Sequence, residues 1–378
     1  MKGPTAAVIV LAILPSPARG DLILLRGAAP AIQGEITRVD DAGITVRRES
    51  RDSRLIPWDR VRRVAGDPPG PWEAAVGPWM SVAVELWRAR SRVERNDTTL
   101  AEPLLERLFE RYRGRSHETA LVVAEGLLRC RLARFDHALA VIPALEVARL
   151  RRAGVRTDSY SMLPAVMDAE RALCTALAPA WLATGLLASL EHDLAGYDGK
   201  GDEVVAALAN LYRRAVRQTL GSAATGASEP APDPGDHPGV ALVKLLVDCT
   251  AGEADRRRTA REALKRLVPG LPEWAEAWAR FHIGLSLVGE PGIGRRQRGM
   301  VSLIHLPARF ARTLPYLAGL ALGHAADALA EAGQFDAAAT LRIQLQKDFP
   351  DHPIHAAGPL SQRLDRVMPK HIKPEEDE

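Results

Sequence analysis

A chain of 378 residues, 47% hydrophobic and 26% charged, has the composition of two or three globular domains. Ala, Leu and Arg dominate while aromatics make up 5%, which favours helices over sheets. The formal charge of +3 and the pI near 8.8 fall short of the clustered positive face that nucleic acid requires, so no nucleic-acid partner is expected.

Residues 1–20 read as a secretory signal. Lys2 supplies the positive end, Thr5 to Leu14 (TAAVIVLAIL) the apolar core, and Pro15 to Gly20 (PSPARG) a small, helix-breaking exit. Ala18 and Gly20 fit the small-residue positions before a cut at Asp21, and Ala18 offers an alternative cut. The apolar run of about ten residues is too short to span about 30 Å of hydrocarbon, and no Cys follows it as a lipidation site. An uncleaved anchor or a buried strand is the other reading of this run. The expectation is an exported protein of the periplasm, cell envelope or medium, with no stable transmembrane segment after cleavage. Without Lys2 and Arg19 the chain would carry 48 basic against 47 acidic side chains.

Residues 21–66 differ from all that follow. Leu22 to Leu25, Ile32 to Val39 (IQGEITRV), Ile44 to Val46 and Leu55-Ile56 are short β-type runs. Turn signals separate them at Gly27, Asp40 to Gly43 and Ser50 to Ser53. In GEITRVDDAGITVRR, Ile36, Val39, Ile44 and Val46 are the expected inward positions around a tight turn. Ile56-Pro57-Trp58 then leads into a short closing element over Asp59 to Val64. This order, over about 45 residues, resembles the small SH3-like or Sm-like barrels at the start of many exported bacterial proteins. The resemblance implies a five-stranded β-barrel. Sm-type barrels can bind RNA, but export and nine basic against seven acidic residues argue against that role here.

Asp67 to Pro71 (DPPGP) is a proline-rich linker, since consecutive prolines continue neither a strand ladder nor a helix. From Trp72 onward the pattern predicts helices alone, with apolar residues at three- and four-residue spacing, as in Leu100, Leu104, Leu105 and Leu108. The expected segments are 72–95, 99–113, 117–131, 135–153, 162–177, 180–195 and 202–220, then 239–250, 254–267, 272–288, 298–305, 316–332, 335–348 and 356–367. Residues 221–239 (GSAATGASEPAPDPGDHPG) read as a flexible loop or linker. It divides a helical region at 72–220 from a second at 240–368, and a charged tail follows at 369–378.

In GQFDAAATLRIQLQKDFPDHP, Gly333 precedes Phe335, Ala338, Leu345, Phe349 and Pro350. Asn96, Ala101, Leu108 and Tyr112 repeat these offsets. Ala133, Phe135, Ala138, Leu145 and Leu150 give a third copy, without the turn glycine and the final aromatic. Gly126 and Ala326 hold the close-contact position in the preceding helices. These three places, about a quarter of the chain, resemble tetratricopeptide (TPR-like) repeats. The resemblance implies stacked helical hairpins, an α-solenoid of about 12–14 helices, serving as a protein-interaction scaffold. No clean copy occurs between 155 and 320, and an irregular helical bundle is the other reading.

Few residues carry a chemical motif. Cys130, Cys174 and Cys249 sit in apolar helical contexts as small buried hydrophobes, with one Cys130–Cys174 bridge left open. His282, His305 and His324 lie on expected helices, with Asp327 one turn after His324, a spacing that can ligate a metal; no HExxH or Cys/His set accompanies it. Gly292, Gly294, Arg295, Arg296 and Arg298 form a weak anion-site candidate, glycines and arginines together at a helix start. It lacks the Lys-Ser/Thr of a phosphate loop. Trp274, Trp278 and Phe281 make an aromatic stripe at core spacing. Arg256 to Arg258 with Arg261, Lys265 and Arg266, offset by Glu253, Asp255 and Glu262, read as a solvated helix face.

The fold class expected is mainly α, TPR-like hairpins preceded by a small SH3-like β-barrel. The function expected is a non-catalytic exported scaffold or adaptor for a protein or peptide partner, with no cofactor, catalytic or metal residues. Arg129, Arg131 and Arg134 are its candidate partner contacts. Two other classes stay open: a cell-envelope structural component docking through the barrel, and a helical enzyme or anion- or metal-binding protein. The last would use His282, His305, His324 and Asp327, or the Gly292–Arg298 region.

Overall fold

The computed structural model describes residues 20–27, 29–48, 52–66, 70–182, 185–221 and 237–356. The expected signal, linker, interhelical loop, helix at 356–367 and charged tail fall wholly or mostly outside them. The chain forms two compact units that part within one helix, after Arg88.

In the first unit, β1 (Asp21–Leu25), β2 (Ile32–Val39), β3 (Gly43–Arg47), β4 (Ser53–Pro57) and β5 (Val61–Ala65) make one antiparallel sheet in the order β4-β3-β2-β1-β5. The sheet is not closed, because β4 and β5 are its two edges. A three-residue 3-10 turn, Trp58–Arg60, carries the chain from one edge to the other, so the sheet must curl. The β2–β3 turn follows from two local preferences. Asp40 accepts a hydrogen bond from the Ala42 N–H (2.9 Å), and Gly43 takes φ +149° where a Cβ would lie 2.1 Å from the Ile56 carbonyl oxygen. Ile23, Ile44, Val46, Trp58 and Val61 are fully buried. Ile36 and Val39, expected inward, are only half-buried, since a bulge between Ile36 and Arg38 shifts the register. The Trp58 indole donates to the Asp40 carbonyl (2.7 Å) and stacks on Trp79 of α1 (Glu73–Glu94) with ring centroids 5.7 Å apart.

The second unit is helical: α2 (Thr98–Tyr112), α3 (Glu118–Ala133), α4 (His137–Arg152), α5 (Leu186–Ala195), α6 (Glu203–Thr219) and α7 (Pro238–Cys249). There follow α8 (Ala254–Leu267), α9 (Glu273–Val288), α10 (Ile293–Phe310), α11 (Pro315–Glu331) and α12 (Phe335–Asp348). Each packs chiefly on its neighbours in sequence. Residues in the left-handed region make the turns before α2, α4 and α12: Asn96 (φ +60°), Phe135 (φ +60°) and Gly333 (φ +76°). In the first and last of these helices Ala101 and Ala338 are fully buried, and Leu108, Tyr112 and Leu345 are buried too, with Phe349 buried just past the end of α12. Gly126 lets α3 approach closely, since a Cβ there would meet the Tyr160 hydroxyl at 2.5 Å.

The array also folds back on itself. The α3–α4 turn meets α11, with His137 stacked on Tyr316 at 3.5 Å between ring centroids. His352 sits beside both Phe135 and Tyr316, and its Nε2 lies 2.9 Å from the Tyr316 carbonyl oxygen. Gly319 leaves room for the His352 ring, which a Cβ would approach at 2.5 Å.

The helix expected over 162–177 does not form. Asp168 accepts from the Arg171 N–H (2.9 Å), Ala172 takes φ +52°, and the short strands β6 (Met167–Asp168) and β7 (Leu173–Cys174) pair across that turn. Met167, Leu173, Cys174 and Leu177 bury their side chains in this form, so burial without helical backbone satisfies the same apolar residues. The segment expected over 180–195 becomes helical only at Leu186, and the one over 298–305 extends to Ile293–Phe310. All three cysteines are buried and free, so no Cys130–Cys174 bridge forms. Among the described residues no helix is long and apolar enough to cross a membrane.

Candidate basic pocket between three helices

The arginines singled out around the α3–α4 turn are engaged within the fold. Arg129 pairs with the buried Glu125 (2.7 Å) and donates to the Pro164 carbonyl (3.0 Å). Arg131 donates to the Leu139 carbonyl (2.7 Å) and reaches Glu106 (3.2 Å). Arg134 pairs with the buried Glu102 (2.6 Å) while half its side chain stays in solvent. Arg131 and Arg134 therefore tie neighbouring helices together, Arg129 ties α3 to the segment after α4, and of the three Arg134 offers the most charge to the outside.

The four residues offered for a metal or enzyme site on the C-terminal helices do not gather into one metal-holding cluster among the described residues. His282 is buried, with Nδ1 2.9 Å from the Trp278 carbonyl oxygen and Nε2 3.4 Å from that of Pro179. His324 packs against the Phe281 ring, Asp327 is buried on the same helix, and His305 lies on α10. Among the described residues no three His, Cys, Asp or Glu side chains gather to hold a metal. Trp278 is fully buried and packs edge-on to Trp274.

What the fold does assemble is a pocket of about 400 Å³ between α8, α9 and α10. Arg261 and Lys265 face it from α8, Arg280 from α9, and Arg295 and Arg298 from α10. The Gly292–Arg298 candidate thus contributes Arg295 and Arg298 to a larger cationic wall, and His305 stands on the same face. Gly292, at φ +111°, caps the start of α10 and sets this helix on its course. Gly294 has open space where a Cβ would stand, and Arg296, half-buried on the first turn, does not line the pocket.

Three carboxylates partly balance the wall. Glu290 pairs with Arg261 (2.6 Å) and Arg295 (3.6 Å), Glu276 with Arg280 (2.7 Å), and Glu262 with Lys265 (2.8 Å). Two of these carboxylates are shared, Glu290 between Arg261 and Arg295 and Glu276 between Arg280 and Arg309 (3.0 Å), so the five cations lining the pocket are not fully balanced. Arg298 makes no ion pair among the described residues and donates only to the Gly294 carbonyl of its own helix (3.2 Å). Arg261, expected on a solvated face, is instead 5% exposed and donates to Ser286 Oγ (2.9 Å), while its Nε has no hydrogen-bond partner among the described residues.

No known family model, curated protein or solved structure matches this chain. The chemistry of the pocket is therefore read from its side chains alone. Burial, followed by the charges of Arg280 and Arg309, pushes the His305 imidazole below its ordinary value of 6.5, and its buried Nε2 has no hydrogen-bond partner among the described residues. Ser302 donates its hydroxyl proton to the Arg280 carbonyl (2.9 Å) and so does not hand it to His305. Behind the wall, Cys249 is buried and its thiol is pushed up to about 11, chiefly by burial, which removes it as a nucleophile near neutral pH. The arrangement suits holding an anion by charge and guanidinium hydrogen bonds. The motif Gly292–Arg298 announced part of it, whereas Arg280 gave no signal, and Arg261 gave only its place three residues before the buried Leu264.

Proposed function

We propose that this chain is an exported, non-catalytic binding protein of the cell envelope that grips an acidic segment of a protein or peptide partner in the basic pocket between α8, α9 and α10. The observation that carries this is the convergence of five cations from three helices on one cavity, against three carboxylates. The architecture supports a scaffold. Buried Ala101 and Ala338, and turns at Asn96, Phe135 and Gly333, are what TPR-like hairpins need. The strand order β4-β3-β2-β1-β5, with a 3-10 turn before the last strand, supports an SH3-like module, open rather than closed.

Recognition would rest on charge and shape, with the guanidiniums as planar donors to carboxylates. The test is fluorescence anisotropy of a labelled peptide of alternating Glu and Gly at low ionic strength. Binding is expected to weaken about tenfold in Arg298→Glu and to fall with added salt. Arg54→Glu, an equal charge change on the exposed face of β4, is expected to leave it unaltered. Equal loss in both variants, or no binding by the wild type, would refute the assignment.

A further inference from the structure

The pocket is not lined by charge alone. Ile283 and Leu287, one turn apart on α9, form an apolar part of its wall, and Val301 of α10 adds a side chain that is 71% exposed. Val301 stands three residues after Arg298 on the same helical face, so a cation and an exposed apolar group are neighbours there. Ile304, 39% exposed, continues the apolar strip one turn on, and Ile293, 79% exposed, begins it two turns before Val301. Three of the twelve exposed large hydrophobic side chains of the described residues thus lie along α10. Its opposite face, with Leu303, Leu306 and Phe310, is buried.

We infer that the partner segment presents two adjacent carboxylates followed by a large apolar side chain, the carboxylates meeting Arg280, Arg295 and Arg298 and the apolar group covering Val301 and Ile304. This rests on the proposed acidic-segment reading and specifies what that segment contains. Because Glu276 and Glu290 are each shared between two arginines and Arg298 has no ion pair among the described residues, Arg280, Arg295 and Arg298 together have donor capacity and charge for two carboxylates. A free inorganic anion would leave the Val301–Ile304 strip in water, whereas a peptide residue two to four positions along the chain reaches it, at about 3.3 Å per residue. An apolar anchor beside a charged pair is also how short segments gain affinity from a small contact area.

The experiment compares two labelled synthetic peptides, Gly-Asp-Asp-Gly-Leu-Gly and Gly-Asp-Asp-Gly-Ser-Gly, by anisotropy against the full chain. The leucine peptide is expected to bind about tenfold more tightly, as covering one large aliphatic side chain implies. The double substitution Val301→Ser with Ile304→Ser should abolish that difference and leave the serine peptide unchanged, while Arg298→Glu should weaken both peptides alike. Both sites are exposed, so the serine peptide also reports that the double variant is folded. Equal affinity of the two peptides for the wild type would overturn this inference and leave the acidic-segment reading standing. Binding of neither peptide would overturn both.

Discussion

The contact that folds the helical array back on itself should fail in mild acid. His137 and His352 are both buried against Tyr316, and burial is the main reason their imidazoles fall from 6.5 to about 3 and about 4. As pH drops below 6.5 the unfolded chain gains a proton at each histidine, while the folded chain stays unprotonated until about 4 at His352 and about 3 at His137. Stability is therefore complete above about pH 6.5 and falls steadily toward these lower values. At pH 5 each group lies about 1.5 units below its unfolded value, which at 1.36 kcal/mol per unit removes roughly 2 kcal/mol apiece. Together that is on the order of 4 kcal/mol, a large share of an ordinary domain stability of about 5–15 kcal/mol. Most carboxylates remain ionised over this range, so the histidines dominate it. Urea unfolding followed by far-ultraviolet circular dichroism at pH 7 and pH 5 measures the drop. His137→Phe keeps a ring against Tyr316 and removes one titrating group, so its drop should be smaller by about 2 kcal/mol. An identical drop in wild type and variant would refute the reasoning.

Other perturbations probe the packing. Gly43→Ala places a Cβ 2.1 Å from the Ile56 carbonyl oxygen in a left-handed turn, and should cost about 2 kcal/mol or more in the thermal unfolding of the first unit. Glu146→Gln removes the charge that Arg149 meets at 2.9 Å in a buried site, where Tyr197 (2.9 Å) and the Gly114 N–H (3.0 Å) also donate to that carboxylate; the expected loss is about 3–5 kcal/mol by chemical denaturation. Cys130 and Cys174 are buried and their thiols are pushed up to about 12, with Cys249 at about 11. A thiol reagent at pH 8 should label none in the native chain and all three in denaturant, and rapid native labelling would contradict the burial.

The helices were legible wherever apolar spacing coincided with clean ends. The segment expected at 254–267 matches α8 residue for residue, and 239–250 matches α7 to within one position. Glycine and proline misled the reading of α10. Gly294 and Pro307, which lie beyond the two ends of the expected 298–305, are accommodated inside the helix, and Gly299 packs closely, since a Cβ there would lie 2.8 Å from the Val288 backbone nitrogen. Around 162–177 the same apolar residues suited either backbone, and the Asp168–Arg171 turn decided against the helix. The basic pocket was legible only in pieces. Arg261, Arg280 and Arg298 stand on three helices, and periodicity defines the face of one helix without saying which helices adjoin. Arg261 also reads as an ordinary solvated cation until Glu290 and Ser286 are seen beside it.

An open tandem array can gain or lose a repeat at modest cost, because each unit touches only its neighbours. This array cannot do so freely. His137 stacks on Tyr316 across about 180 residues of intervening chain. One added hairpin between them would push the two rings apart by about two helix spacings, on the order of 20 Å. The number of helices from α4 to α11 is therefore constrained by a contact between elements far apart in sequence. Changes of length in related chains should fall in connecting segments or outside the closed stretch, and a hairpin duplication inside it should arrive together with loss of the aromatic residues at 135, 137, 316 and 352.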